Sequence, residues 1–235
     1  MLMKAYFNFA YNPVYDFTTA RFKGYRTLQE RCVDKLELED NDRVLCIGLG
    51  TGNEISHILR KNRNIDIVGI DCSHTALRKA YKKALGWGKE IDGFVMDARC
   101  LEFKTASFDK VLCIHVIDFI EEDREVISEI IRVLKDGGQF VLTYPSGKDN
   151  VKLGMDLLRD SIRENVDSGK NNLSAVLGAL AQFLVGIIYL PLLFCTKKRL
   201  YAPTELEAMI KELITGAFNL EEDKLYQDFI IYGRK

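Results

Sequence analysis

The sequence has no Cys-x-x-Cys pair. Its six cysteines, Cys32, Cys46, Cys72, Cys100, Cys113 and Cys195, are scattered. Several fall inside apolar runs, where a thiol packs as a small hydrophobe, so the spacing argues against both a metal site and a disulfide framework. Charge of one sign is not in excess either, with 33 basic residues against 34 acidic ones. That removes the overall positive field of a nucleic-acid binder. The first residues, MLMKAYFNFAYNPVYD, are aromatic and polar and lack the apolar h-region of a secretory signal. Internal repeats and low-complexity tracts are missing as well. The expectation is a reducing, cytoplasmic compartment, and 235 residues of which 47% are hydrophobic suffice for one domain with a sizeable core.

What the sequence does contain, from Arg43 onward, is short β-branched runs alternating with helical stretches, the pattern of a parallel sheet covered by helices. RVLCI (Arg43 to Ile47) reads as a strand, GLGTG as a turn and NEISHILRK as a helix. IDIVGID (Ile65 to Asp71) is the second strand; the helix after it puts Leu77, Ala80, Tyr81 and Ala84 on one face. GFVMD and KVLCIH supply two more strands. EEDREVISEIIRVLKDGG predicts a helix with acids in its first turn, an apolar face through Val126, Ile130, Val133 and Leu134, and glycines at its exit. QFVLTYP (Gln139 to Pro145) is the fifth strand. Near the end, TELEAMIKELI predicts a helix capped by Thr204, and KLYQDFIIYGR a terminal strand or hairpin. Upstream, FTTARFKGYRTLQERCVDKL predicts a helix lying over the mouth of the sheet. The expected fold is α/β and Rossmann-like, a mostly parallel seven-stranded sheet with helices on both faces. It forms one domain, 1–235: a lid segment (1–41), a core (42–146), a helical apolar cap inserted after the fifth strand (147–203), and a last helix with terminal strand(s) (204–235).

Gly48-Leu49-Gly50-Thr51-Gly52 joins the first strand to its helix. Glycines there adopt positive φ and let backbone approach a ligand, while the helix N-terminus offers unpaired N–H groups. The spacing is GxGxG, not the GxGxxG of a dinucleotide fingerprint, which disfavours a dehydrogenase. Asp71 ends the second strand, where a carboxylate can accept from ribose hydroxyls; Asp97 ends the third, within reach of an adenine amino group. Ligand-type signals thus stand at the carboxyl ends of three consecutive strands, the edge where open α/β sheets bind ligands.

In order and spacing, VLCIGLGTGNE, VGIDCS, FVMDA, SFDKVLCIHVIDFI and LKDGGQFVLTYPS resemble the class I S-adenosylmethionine-dependent methyltransferases over about Asp42 to Ser146. The pattern is most similar to the ubiquinone/menaquinone-type and phospholipid-type enzymes. The resemblance implies that Gly48, Gly50 and Gly52 cradle the methionine part of the cofactor. It gives Asp71 the ribose, Asp97 with Ala98 the adenine, and Cys113, Ile114 and His115 the sulfonium side, with Cys72 a further cofactor-binding residue. Many family members carry an acid two residues before the first glycine; here that position is Cys46, which weakens the contact to the cofactor's amino group. AYNPVYDFTTARF resembles the segment that in these enzymes comes down over cofactor and acceptor, which nominates Tyr11, Tyr15 and Asp16. His115 is the best-placed titratable residue for a base, if the acceptor must lose a proton. A neutral His115 closing the pocket through a hydrogen bond is the open alternative, and Asp118 either orients the ring or caps the next helix. His57 and His74 read as surface residues.

The remaining feature is NLSAVLGALAQFLVGIIYLPLLFC, uncharged from Asn172 to Cys195 and followed by Lys197, Lys198 and Arg199. Its length permits a membrane span. A single crossing would, however, put sheet neighbours on opposite sides of the bilayer, so the segment must return, lie flat or be covered. Ser174, Gly178, Gln182 and Gly186 form a narrow small or polar stripe against a bulky side of Val176, Leu180, Phe183, Leu184 and Ile187. Upstream, Val151, Met155, Leu158 and Ile162 share one face. Three uses stay open: a cap over a hydrophobic small-molecule or lipid acceptor, a peripheral seat on the inner face of the membrane, or a homodimer contact. A polar metabolite acceptor, or cofactor binding without catalysis, are the rival functions.

Overall fold

The computed structural model describes residues 15–16, 23–146, 200–223 and 228–235. Tyr11 and the whole apolar run lie outside them. The chain enters with α1 (Lys23–Asp34), then alternates β1 (Arg43–Ile47), α2 (Asn53–Lys61), β2 (Asp66–Asp71), α3 (His74–Gly86), β3 (Asp92–Val95) and β4 (Phe108–Cys113). A 3-10 turn (Ile117–Phe119) and α4 (Asp123–Val133) lead to β5 (Leu134–Pro145). α5 (Pro203–Leu213) precedes the hairpin β6 (Phe218–Asp223) and β7 (Asp228–Arg234). The seven strands form one sheet in the order β3-β2-β1-β4-β5-β7-β6. β1 to β5 run parallel, whereas β7 pairs antiparallel with both β5 and β6. The order reverses between β1 and β4, which makes their carboxyl ends the switch point where open α/β sheets take ligands.

Alternation along each central strand builds two cores. Leu45 and Ile47 of β1, Val111 and Cys113 of β4, and Phe140, Leu142 and Tyr144 of β5 face α4 and α5. Val44 and Cys46, Leu112 and Ile114, and Val141 face α1, α2 and α3. Helices therefore cover both faces, as a sheet of buried apolar strands requires. Phe140, 1% exposed in the middle of β5, is a fair gauge of this packing. Phe140→Ala should cost about 3–5 kcal/mol, read as a lowered midpoint in urea unfolding at unchanged m-value.

Some local expectations need correction. Tyr81 is 44% exposed and leaves the apolar face of α3 to Leu77, Ala80 and Ala84. α4 ends at Val133, and the stretch from Leu134 through both glycines belongs to β5. Leu134 pairs with Phe108 of β4, and that ladder overrides the helical continuation. Thr204 does not cap α5: Ala202 is the cap, Pro203 opens the helix, and Glu205 reaches back to the Ala202 N–H. His57 is half-buried in α2 rather than on the surface, whereas His74 is exposed.

Candidate functional site

Gly48, Gly50 and Gly52 all have positive φ, at 68°, 54° and 75°. A Cβ on Gly48 would lie 2.1 Å from Val116 Cγ2, whereas one on Gly50 would meet nothing nearer than the Gly48 carbonyl oxygen at 3.8 Å. Gly48 therefore serves packing, and Gly50 leaves the open approach that a ligand-binding turn needs. The Gly50 N–H donates to Asp71 Oδ2 at 2.9 Å and the Ser73 N–H to Oδ1 at 2.7 Å. Asp71 at the end of β2 thus braces the turn. Each of its oxygens keeps acceptor capacity for a ribose hydroxyl. Burial raises Asp71 above the usual carboxylate range, against the pull of these N–H groups and of the Cys72 thiol. An open backbone approach beside a braced carboxylate fits the ribose and amino-acid end of S-adenosylmethionine.

The adenine side is arranged differently from the simple expectation. Asp97 accepts from the Arg99 N–H and Nε at 3.0 Å and from its NH2 group at 2.7 Å. This guanidinium also reaches Glu122 at 2.9 Å. Asp97 is thus largely engaged by Arg99, and Ala98 beside it is buried. The Cys113 and Ile114 side chains point into the two opposite cores, so only their backbone at the end of β4 is left to line the site.

His115 follows at once, with φ 54°, a conformation costly for a residue with a Cβ. Its N–H donates to Thr143 Oγ1 at 3.0 Å, which holds the turn against β5. The ring Nδ1 lies 3.1 Å from Asp118 Oδ2 and 3.3 Å from Asp228 Oδ2. Tyr25 of α1 stacks on the ring at a centroid distance of 5.1 Å. Burial disfavours the imidazolium, but Asp228 and Asp118 outweigh it and raise His115 above its ordinary value. Burial pushes Asp228 up as well, against the cation, while the Thr143 hydroxyl hydrogen-bonds to it. Asp223, opposite Asp228 in the hairpin, pairs with Arg31 at 2.5 Å and still adds to the negative field on His115.

The N-terminal approach is pinned onto the glycine turn. Asp16 Oδ1 accepts from Thr51 Oγ1 at 2.5 Å and from Lys83 Nζ at 2.6 Å. Lys83 also bonds Asn53 Oδ1 at 2.7 Å. The Tyr15 and Tyr25 hydroxyls bond each other, so Tyr15 stands one aromatic ring away from His115. Sequence reasoning named Tyr15, Asp16, His115 and Asp118, and the structure gathers them. It missed Tyr25, Lys83 and Asp228. A lone carboxylate at the head of the apolar strand DFIIYGR was the available signal for Asp228, since a buried acid needs a partner.

A family model described as a methyltransferase domain matches residues 45–142. Phosphatidylethanolamine N-methyltransferase of Cereibacter sphaeroides is 36% identical over 111 residues, covering 46% of this chain and 52% of that protein. Ubiquinone/menaquinone biosynthesis C-methyltransferase UbiE of Desulfotalea psychrophila is 32% identical over 109 residues, covering 46% and 44%. The chain thus spans about half the length of these curated relatives. A crystal structure of a SAM-dependent methyltransferase from Aquifex aeolicus shares the fold at a TM-score of 0.57 and 11% identity, covering 87% of this chain and 88% of that one. The matched stretch holds the glycine turn, Asp71, Asp97 and His115 together, so likeness and geometry fall on the same residues, and it is residues 45–142 that carry the likeness to a methyltransferase domain.

Proposed function

We propose that the protein methylates a hydrophobic small molecule or lipid, of the quinone-precursor or phospholipid-headgroup type, at a membrane surface. The observation that carries this reading is where the uncharged run joins the fold. β5 ends at Pro145, which pairs with Asp228 of β7, and Asp228 touches His115. The connection that contains Asn172 to Cys195 therefore departs from the rim of the site. A single membrane crossing between β5 and β7 would tear apart paired strands, so the contact with lipid is peripheral. Among the described residues no helix is long and apolar enough to span a bilayer. Lys197, Lys198 and Arg199 suit anionic headgroups. Two relatives whose names specify a phospholipid amine and a quinone carbon support the same acceptor class.

S-adenosylmethionine supplies a methyl carbon already activated by positive sulfur, so the chain's own task is alignment and exclusion of water. Gly50 and Asp71 hold the cofactor's methionine and ribose parts. Tyr15, Asp16 and Tyr25 close over them. His115, oriented by Asp118 and Asp228, takes the proton of an acceptor that must lose one.

Transfer from radiolabelled S-adenosylmethionine into a whole-cell extract of the source organism, followed by partition between organic solvent and water, tests this reading. Label should enter the organic phase. Label confined to water would replace the lipophilic acceptor with a polar one, and no transfer at all would overturn the activity.

A further inference from the structure

A zwitterionic amino acid held under a lid needs a carboxylate for its ammonium, because an unpaired buried charge is costly. Cys46 at the end of β1 does not provide one: it is 1% exposed, and burial pushes its thiol well above the ordinary range, with Glu54 adding to the effect. The other acids at this edge are committed. Asp71 braces Gly50 and Ser73, Asp16 takes Lys83 and Thr51, and Asp118 and Asp228 hold His115.

Glu54 is different. It sits in the first turn of α2, two residues after Gly52, with only 7% of its surface exposed. Next to it, Ile55 packs in the same layer as Cys46. Its carboxylate is bonded by its own N–H and, among the described residues, by no other side chain. We propose that Glu54 supplies the carboxylate that receives the α-ammonium of S-adenosylmethionine, replacing an acid at Cys46. Burial, opposed by its own N–H and by Lys83 and reinforced by Asp71, lifts the free carboxyl to about 7. A cation docking beside it favours ionisation. The charge has moved from the end of a strand to the start of the next helix, on the same face of the sheet.

This inference rests on the cofactor assignment and is independent of the acceptor. Its test compares ligands with and without the amino-acid end. Dissociation constants of S-adenosylmethionine, S-adenosylhomocysteine and 5′-methylthioadenosine are measured by calorimetry for the full chain and for Glu54→Gln. The first two should weaken by roughly 10- to 100-fold, the range for a hydrogen bond to a charged group. 5′-Methylthioadenosine, which lacks the ammonium, should bind as before and so also report an intact fold. Cys46→Asp in the Glu54→Gln background should restore affinity for the first two. Equal loss for all three ligands, or no loss for any, would overturn the role of Glu54. Failure of the unaltered chain to bind any of them would instead overturn the cofactor site itself.

Discussion

Gly50→Arg should abolish S-adenosylmethionine binding, with affinity lowered by more than about 100-fold, or about 2.8 kcal/mol at the tenfold-per-1.4 kcal/mol rate, while the chain stays folded. The position separates the two effects. An added Cβ there meets no protein atom within 3.8 Å, so packing is not disturbed. The positive φ of 54° costs a side chain only about 1–2 kcal/mol. What the arginine occupies is the open approach above the turn, the space left for the cofactor's methionine part. Gly48 would be a poor choice for the same experiment, because a Cβ there collides with Val116 and any loss of binding would be confounded with misfolding. Calorimetric titration with S-adenosylhomocysteine, alongside a thermal melt, reads both effects. Full affinity in a folded variant would remove the glycine turn from the site.

Local signals explain which parts of this arrangement the amino-acid order discloses. β1 is bounded in sequence by a charged residue and a glycine, and its observed limits, Arg43–Ile47, coincide with the expected ones. The same holds for Asp71 and the glycine turn, where one short stretch contains both the chemistry and the geometry. β5 was read too short because LKDGG has glycines that look like a helix exit; its pairing with β4 is a tertiary fact that no local pattern carries. Thr204 is the better capping side chain in the sequence, but Pro203 fixes the opening of α5 and moves its cap two residues earlier, to Ala202. The surroundings of His115 were half legible. Asp118 lies three residues on and is visible at once. Tyr25 and Asp228 come from opposite ends of the chain, and only the insertion of β7 beside β5 brings the second within 3.3 Å of the ring.

That late-arriving carboxylate sets the second large effect. For an acceptor that loses a proton, His115→Ala should lower kcat by about 10²–10⁴-fold, the usual contribution of a positioned base. An acceptor amine already deprotonated in solution should lose much less. The pH dependence distinguishes a base from a residue that merely closes the pocket. A base acts in its neutral form, so the rate should rise with pH through the raised pKa of His115. Burial lowers that value, and Asp228 and Asp118 raise it by more. Asp228→Asn removes one of the three carboxylates that hold the proton, so the rising limb should move to lower pH, with Asp118 keeping the ring oriented. Asp223, paired with Arg31, already contributes a smaller pull of the same sign and does not replace the lost charge. The measurement is the pH profile of kcat for the unaltered chain, Asp228→Asn and His115→Ala. If the limb stays where it was in Asp228→Asn and survives in His115→Ala, the proton leaves by another route, and the paired carboxylates serve only to fix an imidazole over the site.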